Sequence, residues 1–168
     1  VVKRTDPDYI EIRQYKEMRV AFFRSYGENA QQTSERKLLA WAAETGLPAP
    51  WQPYRCYITY RFDSSESSDY WWEAGVSIDR IPANPKAEAV YKMIGFGLYA
   101  CLPAKAWGSM QGVVERVHRW LSGNAHYAYD ESRDWLIEYD TLAATMDGHS
   151  SAVCAIPVMR NSNGGFVK

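Results

Sequence analysis

The sequence predicts an α+β domain built from two copies of a β-α-β-β unit. Three observations carry this. Strand-like and helix-like segments alternate in the same order in both halves of the chain. Residues 79 positions apart match in type and place: Val20 with Tyr99, Ala21 with Ala100, Trp41 with Trp120, Ile58 with Ile137, and Tyr60 with Tyr139. Each half alone is too small to cover its own sheet face, so two copies fuse into one pseudo-symmetric domain. The whole chain, 1–168, is read as that single domain, with repeats at about 9–79 and about 87–160.

The first half opens with Tyr9 to Ser25, rich in Ile, Val, Phe and Tyr, which predicts one or two strands. Tyr26-Gly27-Glu28-Asn29 makes a turn. Ala30 to Thr45 follows as a helix, with Leu38, Leu39, Trp41 and Ala42 on its later turns. Gly46-Leu47-Pro48 stops it. Tyr54 to Phe62 is a strand, 63–69 a polar hairpin loop, and Tyr70 to Ile78 the returning strand.

Residues 81–85, with two prolines, link the halves. Ala87 to Leu102 predicts strand, broken at Gly95-Phe96-Gly97. The next helix carries Trp107, Met110, Val114, Val117 and Leu121 at helical spacing, the clearest amphipathic stripe in the chain. Ser122-Gly123-Asn124 ends it. Trp135 to Thr141 is a strand, Met146 to His149 a turn and Ala152 to Met159 the last strand. The tail Asn161 to Lys168 is expected to be loose.

Composition narrows the function classes. With 19 basic and 20 acidic residues the formal charge is -1, so direct nucleic-acid binding by this domain is not expected. No apolar run reaches a membrane span and no signal peptide opens the chain, so a cytoplasmic protein without a membrane partner is expected. The three cysteines lie far apart and are read as reduced core residues. No glycine-rich phosphate loop, HExxH or GxSxG occurs, and His118, His126 and His149 match no metal-ligand spacing. No cofactor or metal is expected. The 24 aromatic residues, 7 of them Trp, exceed what a core of this size needs, and such a surplus lines sites for flat or cationic organic ligands.

Strand alternation locates the candidate site. Cys56, Ile58, Tyr60 and Phe62 share one face with Trp135, Ile137 and Tyr139, the face the helices cover. Tyr57, Thr59, Leu136 and Glu138 share the other, which is either solvated or lines a cleft. Glu138 is a carboxylate within an apolar-aromatic strand. If buried it must be protonated, paired or hydrogen-bonded, and a cationic ligand would serve as its pair. Trp71-Trp72 puts one ring on each face, which of the two facing the cleft being open. Trp107, at the start of the second helix, can overhang the sheet. Trp41 and Trp120 are read as core.

The order of these elements, with Tyr9-Ile10-Glu11-Ile12-Arg13, Tyr57-Ile58-Thr59-Tyr60, Glu73-Ala74-Gly75-Val76, Leu98-Tyr99-Ala100-Cys101 and Asp134-Trp135-Leu136-Ile137-Glu138-Tyr139, resembles the GyrI-like, AraC-type effector-binding domains. These are the modules at the C-terminus of Rob- and BmrR-like bacterial regulators. The resemblance runs from about Tyr9 to Arg160. It implies a curved antiparallel sheet with two helices and an aromatic pocket for hydrophobic, often cationic drugs. Glu138 matches the pocket acid, and Tyr57, Trp71 or Trp72, Trp107 and Met110 fall near pocket positions. Leu102-Pro103-Ala104-Lys105 departs from the His and Gly-Pro turn common among relatives, at the pocket mouth. The expected function is binding of a small amphipathic or cationic aromatic molecule, as the sensing part of a regulator or a stand-alone homologue. A second copy or a fused DNA-binding domain is the macromolecular partner left open. Competing readings are a hydrolase of electrophilic toxins with Glu138 as general base, a haem or tetrapyrrole carrier using His118, and a purely structural interaction module.

Overall fold

In the computed structural model the described residues are 9–49, 51, 53–61, 70–83, 89–104, 110–139, 142 and 152–162. The expected loop 63–69, the turn 146–149, Trp107, and all but the first residues of the tail lie outside them. The first half contains β1 (Glu11–Tyr15), β2 (Met18–Tyr26), α1 (Ala30–Thr45), β3 (Cys56–Arg61) and β4 (Trp71–Ser77). The second contains β5 (Val90–Ile94), β6 (Gly97–Ala104), α2 (Met110–Ser122), β7 (Tyr127–Tyr129), β8 (Leu136–Tyr139) and β9 (Ala152–Arg160).

Apart from the short β7, each unit is therefore β-β-α-β-β: Tyr9–Ser25 and Ala87–Leu102 each divide into two strands, which do not pair with each other. The strands run in the order β1-β6-β9-β8-β3-β4-β2-β5, with antiparallel neighbours throughout. Exchanging the two halves reverses this order onto itself, which is the pseudo-two-fold. The first strand of each unit crosses over to pair with the other unit, β1 with β6 and β5 with β2. The sheet curls into a half-barrel and has a concave face. The short β7, paired with β9, was not expected. Three residues are too few to display an alternation.

Both helices pack on the convex face. Leu38 and Trp41 of α1 pack on Ile58, Ala74, Val76 and Ile137 of the sheet, all essentially inaccessible. Burying each large aliphatic chain contributes roughly 1.5–3 kcal/mol. Trp72 belongs to this layer: it stacks on Tyr60 with centroids 4.8 Å apart and planes within 2°, and Trp135 meets Tyr60 edge-on. Under α2, Val117 and Leu121 pack on Ala100, Leu102, Cys154 and Ile156. The equivalence of the two helix tryptophans is incomplete. Trp41 is fully buried, while Trp120 flanks its cluster half-buried, because α2 turns Val117 rather than Trp120 to the sheet. Cys56, Cys101 and Cys154 are buried and not joined in disulfides, as the spacing predicts.

One acid sits in the helix-side layer. Glu35 on α1 is buried, and its one hydrogen-bond donor among the described residues is the Gln31 amide at 3.4 Å. Burial pushes its carboxyl from 4.5 up to about 7. The folded state then binds a proton that the unfolded state releases, so stability falls as pH rises from about 4.5 to about 7. The expected loss is of order 1–3 kcal/mol. Urea melts from pH 4 to 8 measure it. Glu35→Gln should remove that slope and be the more stable form at pH 8. A wild type whose stability rises over this window would contradict the assignment.

Candidate functional site

Strand alternation brings Tyr57 and Thr59 of β3, Glu73 and Gly75 of β4, and Leu136 and Glu138 of β8 to the concave face. Tyr57 and Gly75 are cross-strand partners. A Cβ on Gly75 would lie 2.3 Å from the Tyr57 ring, so only glycine lets the ring lie flat there. The ring extends along β4, and its hydroxyl donates to Glu73 Oε1 at 2.9 Å. Burial, and then the charge of Glu73, holds the Tyr57 hydroxyl well above the usual tyrosine range.

Glu73 is 0% exposed and is the polar centre of this face. Arg24, its cross-strand partner on β2, donates to Oε2 from Nε at 3.0 Å and from Nη2 at 2.8 Å. Lys92 of β5 donates to Oε1 at 2.6 Å. Arg24 also lies over the Trp71 ring at 3.9 Å, and Lys92 over the Phe22 ring at 4.2 Å. One carboxylate therefore serves two cations.

Glu138, with its side chain 13% exposed, is ion-paired with Arg55, which stands just before β3. The Arg55 guanidinium lies 4.5 Å above the Tyr15 ring. Tyr15 in turn meets Cys101 Sγ at 3.4 Å and the edge of Tyr99. Burial raises the Tyr15 hydroxyl, with the Glu138 charge adding to it, and pushes the Cys101 thiol up to about 11. Neither is a nucleophile at neutral pH.

A cleft of about 290 Å³ opens beside this cluster, walled by Thr59, Lys92, Ile94, Tyr99, Leu136 and Asp134. Phe96, 68% exposed, stands at its edge. Arg133 frames it. That guanidinium donates to Asp130 at 2.7 Å, to the carbonyls of Leu98 at 3.0 Å and Val158 at 2.9 Å, and to the Phe96 carbonyl. Gly97 takes φ +97, and any side chain there would meet Arg133.

The structure thus puts Thr59 and Leu136 on the cleft wall, with Tyr57 and Glu138 beside it. Of the two adjacent tryptophans, Trp71 faces the concave side, capped by Arg24. Trp72 as a ligand contact is corrected: successive strand residues point to opposite faces, and its ring is core beneath α1. Met110 begins α2, its side chain outside the described residues like all of Trp107. His118 sets its ring edge-on to Tyr129 at 4.9 Å, on the helix side. Sequence reasoning missed Glu73 as a site residue. The signal was the one used for Glu138, a single acid amid apolar neighbours. Arg24, Arg55 and Lys92 carry no such signal, because only strand register aims them at these acids.

No family model and no curated protein matches the chain. Solved structures do. The EcmrR C-terminal domain aligns with TM-score 0.65 at 14% identity, over 91% of this chain and 98% of that one. The fold is that of the GyrI-like effector-binding domains. A hydrolase encoded by lin2189 from Listeria innocua shares the GyrI-like fold at TM-score 0.61 and 11% identity, over 90% and 92% of the chains. SAV2435 bound to tetraphenylphosphonium shares it at TM-score 0.53 and 10% identity, over 90% and 94%. In the EcmrR–DNA complex this chain spans 58% of the EcmrR chain, at TM-score 0.66 and 14% identity. Among the described residues no helix is long and apolar enough to cross a membrane.

Proposed function

We propose that this GyrI-like domain binds small amphipathic aromatic molecules on its concave face, as the sensing part of a bacterial regulator or as a stand-alone binding protein. The carrying observation is the cost of that face. Two carboxylates and three cations are held largely out of water beside a cleft of about 290 Å³ with aromatic walls. A face that served only as core would be more stable apolar, since replacing buried ion pairs by packed hydrophobic residues is often neutral or stabilising. Such polar groups in an aromatic cleft are the usual marks of a ligand site. The SAV2435 complex and the EcmrR–DNA complex support the reading by likeness of fold.

The expectation that Glu138 awaits a cationic ligand needs revision. Arg55 already holds that carboxylate, so a cation reaching it would have to displace a guanidinium of the same chain. The hydrolase reading asks the same carboxylate to activate water while it is engaged by Arg55.

Tryptophan-fluorescence titration, with melting temperature in parallel, tests the proposal on cationic, neutral and anionic aromatic compounds, tetraphenylphosphonium among them. A binder should quench saturably and raise stability by about 2.7 kcal/mol at a hundredfold excess over Kd. No saturable change with any of the three charge classes would overturn the proposal. Mass-spectrometric detection of a product would move it to the hydrolase reading.

A further inference from the structure

We propose that the cleft selects an aromatic carboxylate, anchored on the Lys92 ammonium and the Thr59 hydroxyl. This rests on the binding reading above and names its ligand class.

The charges of the concave face lead there. Glu138 is neutralised by Arg55, and Glu73 by Arg24 through two hydrogen bonds. Both acids are spent, so neither offers an uncompensated charge to an incoming cation. Inward of Asp134, which stands at the mouth, one positive charge is in surplus. Lys92 is the second cation on Glu73, uses one of its three N–H groups there, keeps its side chain 27% exposed, and lines the cleft. Thr59 is the cross-strand partner of Glu73, lines the same cleft, and its hydroxyl has no hydrogen-bond partner among the described residues. Arg133, the other cation on the cleft, is matched by Asp130 and engaged by three carbonyls. A carboxylate placed at Lys92 and Thr59 would pair the one under-used cation and give Thr59 an acceptor. Ile94, Tyr99 and Leu136 form the apolar part of the wall beside its ring. The volume is at the low end for ligand pockets and suits about one or two fused rings.

Asp134 orients the ligand. It is exposed, makes no ion pair among the described residues, and stands on the cleft wall. It disfavours an anion at the mouth, weakly because water screens it. The carboxylate therefore points inward and the ring outward past Phe96.

The pseudo-two-fold explains why one such cleft is open. At the 79-residue offset Asp134 corresponds to Arg55, Thr59 to Glu138, Ile94 to Tyr15 and Leu136 to Tyr57. In the mirrored half-site the arginine bridges Glu138 and the Tyr15 ring, filling the place that remains empty beside Thr59.

The test uses three probes of one shape: 2-naphthoate, 2-naphthamide and 2-naphthylmethylammonium. Each is titrated calorimetrically into wild type, Lys92→Met and Thr59→Val. Naphthoate should bind wild type at least tenfold more tightly than the amide, with the ammonium weakest. Lys92→Met should bring naphthoate down to the level of the amide and weaken the amide far less than it weakens naphthoate. Thr59→Val should weaken naphthoate severalfold. Glu73 keeps Arg24 and Tyr57 in Lys92→Met. If that variant nevertheless fails to fold, the wild-type charge series and Thr59→Val decide. Equal affinities, a preference for the ammonium, or naphthoate binding unchanged by Lys92→Met would overturn the proposal. Binding of the amide, the ammonium or tetraphenylphosphonium without naphthoate defeats this inference alone. Binding by no compound of any charge defeats the parent reading too.

Discussion

Gly75→Ala should destabilise the protein by about 2–6 kcal/mol, although alanine is ordinarily no worse than glycine in a strand. The added methyl would lie 2.3 Å from Tyr57 Cε1 and 2.5 Å from Cζ. The ring is 1% exposed and packed among Tyr99, Leu136 and Val20, so it has no free space to move into. Forcing it off β4 costs roughly 1–3 kcal/mol in overpacking. It also withdraws the hydroxyl from Glu73, a further ~1–3 kcal/mol for a buried polar group left short of a partner. Denaturant melts should report this as a lower midpoint with unchanged slope. The control is the same substitution in a Tyr57→Ala background, where it should cost under about 1 kcal/mol. Equal costs in both backgrounds would mean that the ring contact is not the cause.

Glu73→Gln should cost about 3–5 kcal/mol, the range for removing one partner of a buried ion pair. The amide keeps the shape but leaves Arg24 and Lys92 facing each other without an anion between them. Both are more than half withdrawn from water, so added salt should restore little. Lys92→Met in the Glu73→Gln background should recover part of the loss, because one of the two repelling charges is gone. Urea melts of the single and double variants measure this. A single-variant cost below 1 kcal/mol would mean that water, not Glu73, balances these cations.

The two substitutions probe features of different legibility. Glu73 was visible as an acid within Trp71-Trp72-Glu73-Ala74-Gly75-Val76. Its partners were not. Arg24 lies 49 residues away and Lys92 19, and only the registers of β2 with β4 and β2 with β5 bring them together. Arg55 is of the same parity as Tyr57 and Thr59, so its face could be read. Its partner Glu138, 83 residues on, could not.

What the sequence determined by itself was local or periodic. Strand alternation assigned Tyr57, Thr59, Leu136 and Glu138 to one face and Ile58, Tyr60, Ile137 and Tyr139 to the other. Helical spacing marked α1 and α2, and the 79-residue offset exposed the repeat. Such patterns follow from backbone geometry, which each short segment carries alone. The tertiary structure decided which charge meets which. It exchanged β1 and β5 between the units, gave both concave acids cations from distant strands, closed one half-site with Arg55 and left the other open beside Lys92. Ion pairing depends on where side-chain ends lie after strands have chosen neighbours and registers, and residues far apart in the chain settle that choice together.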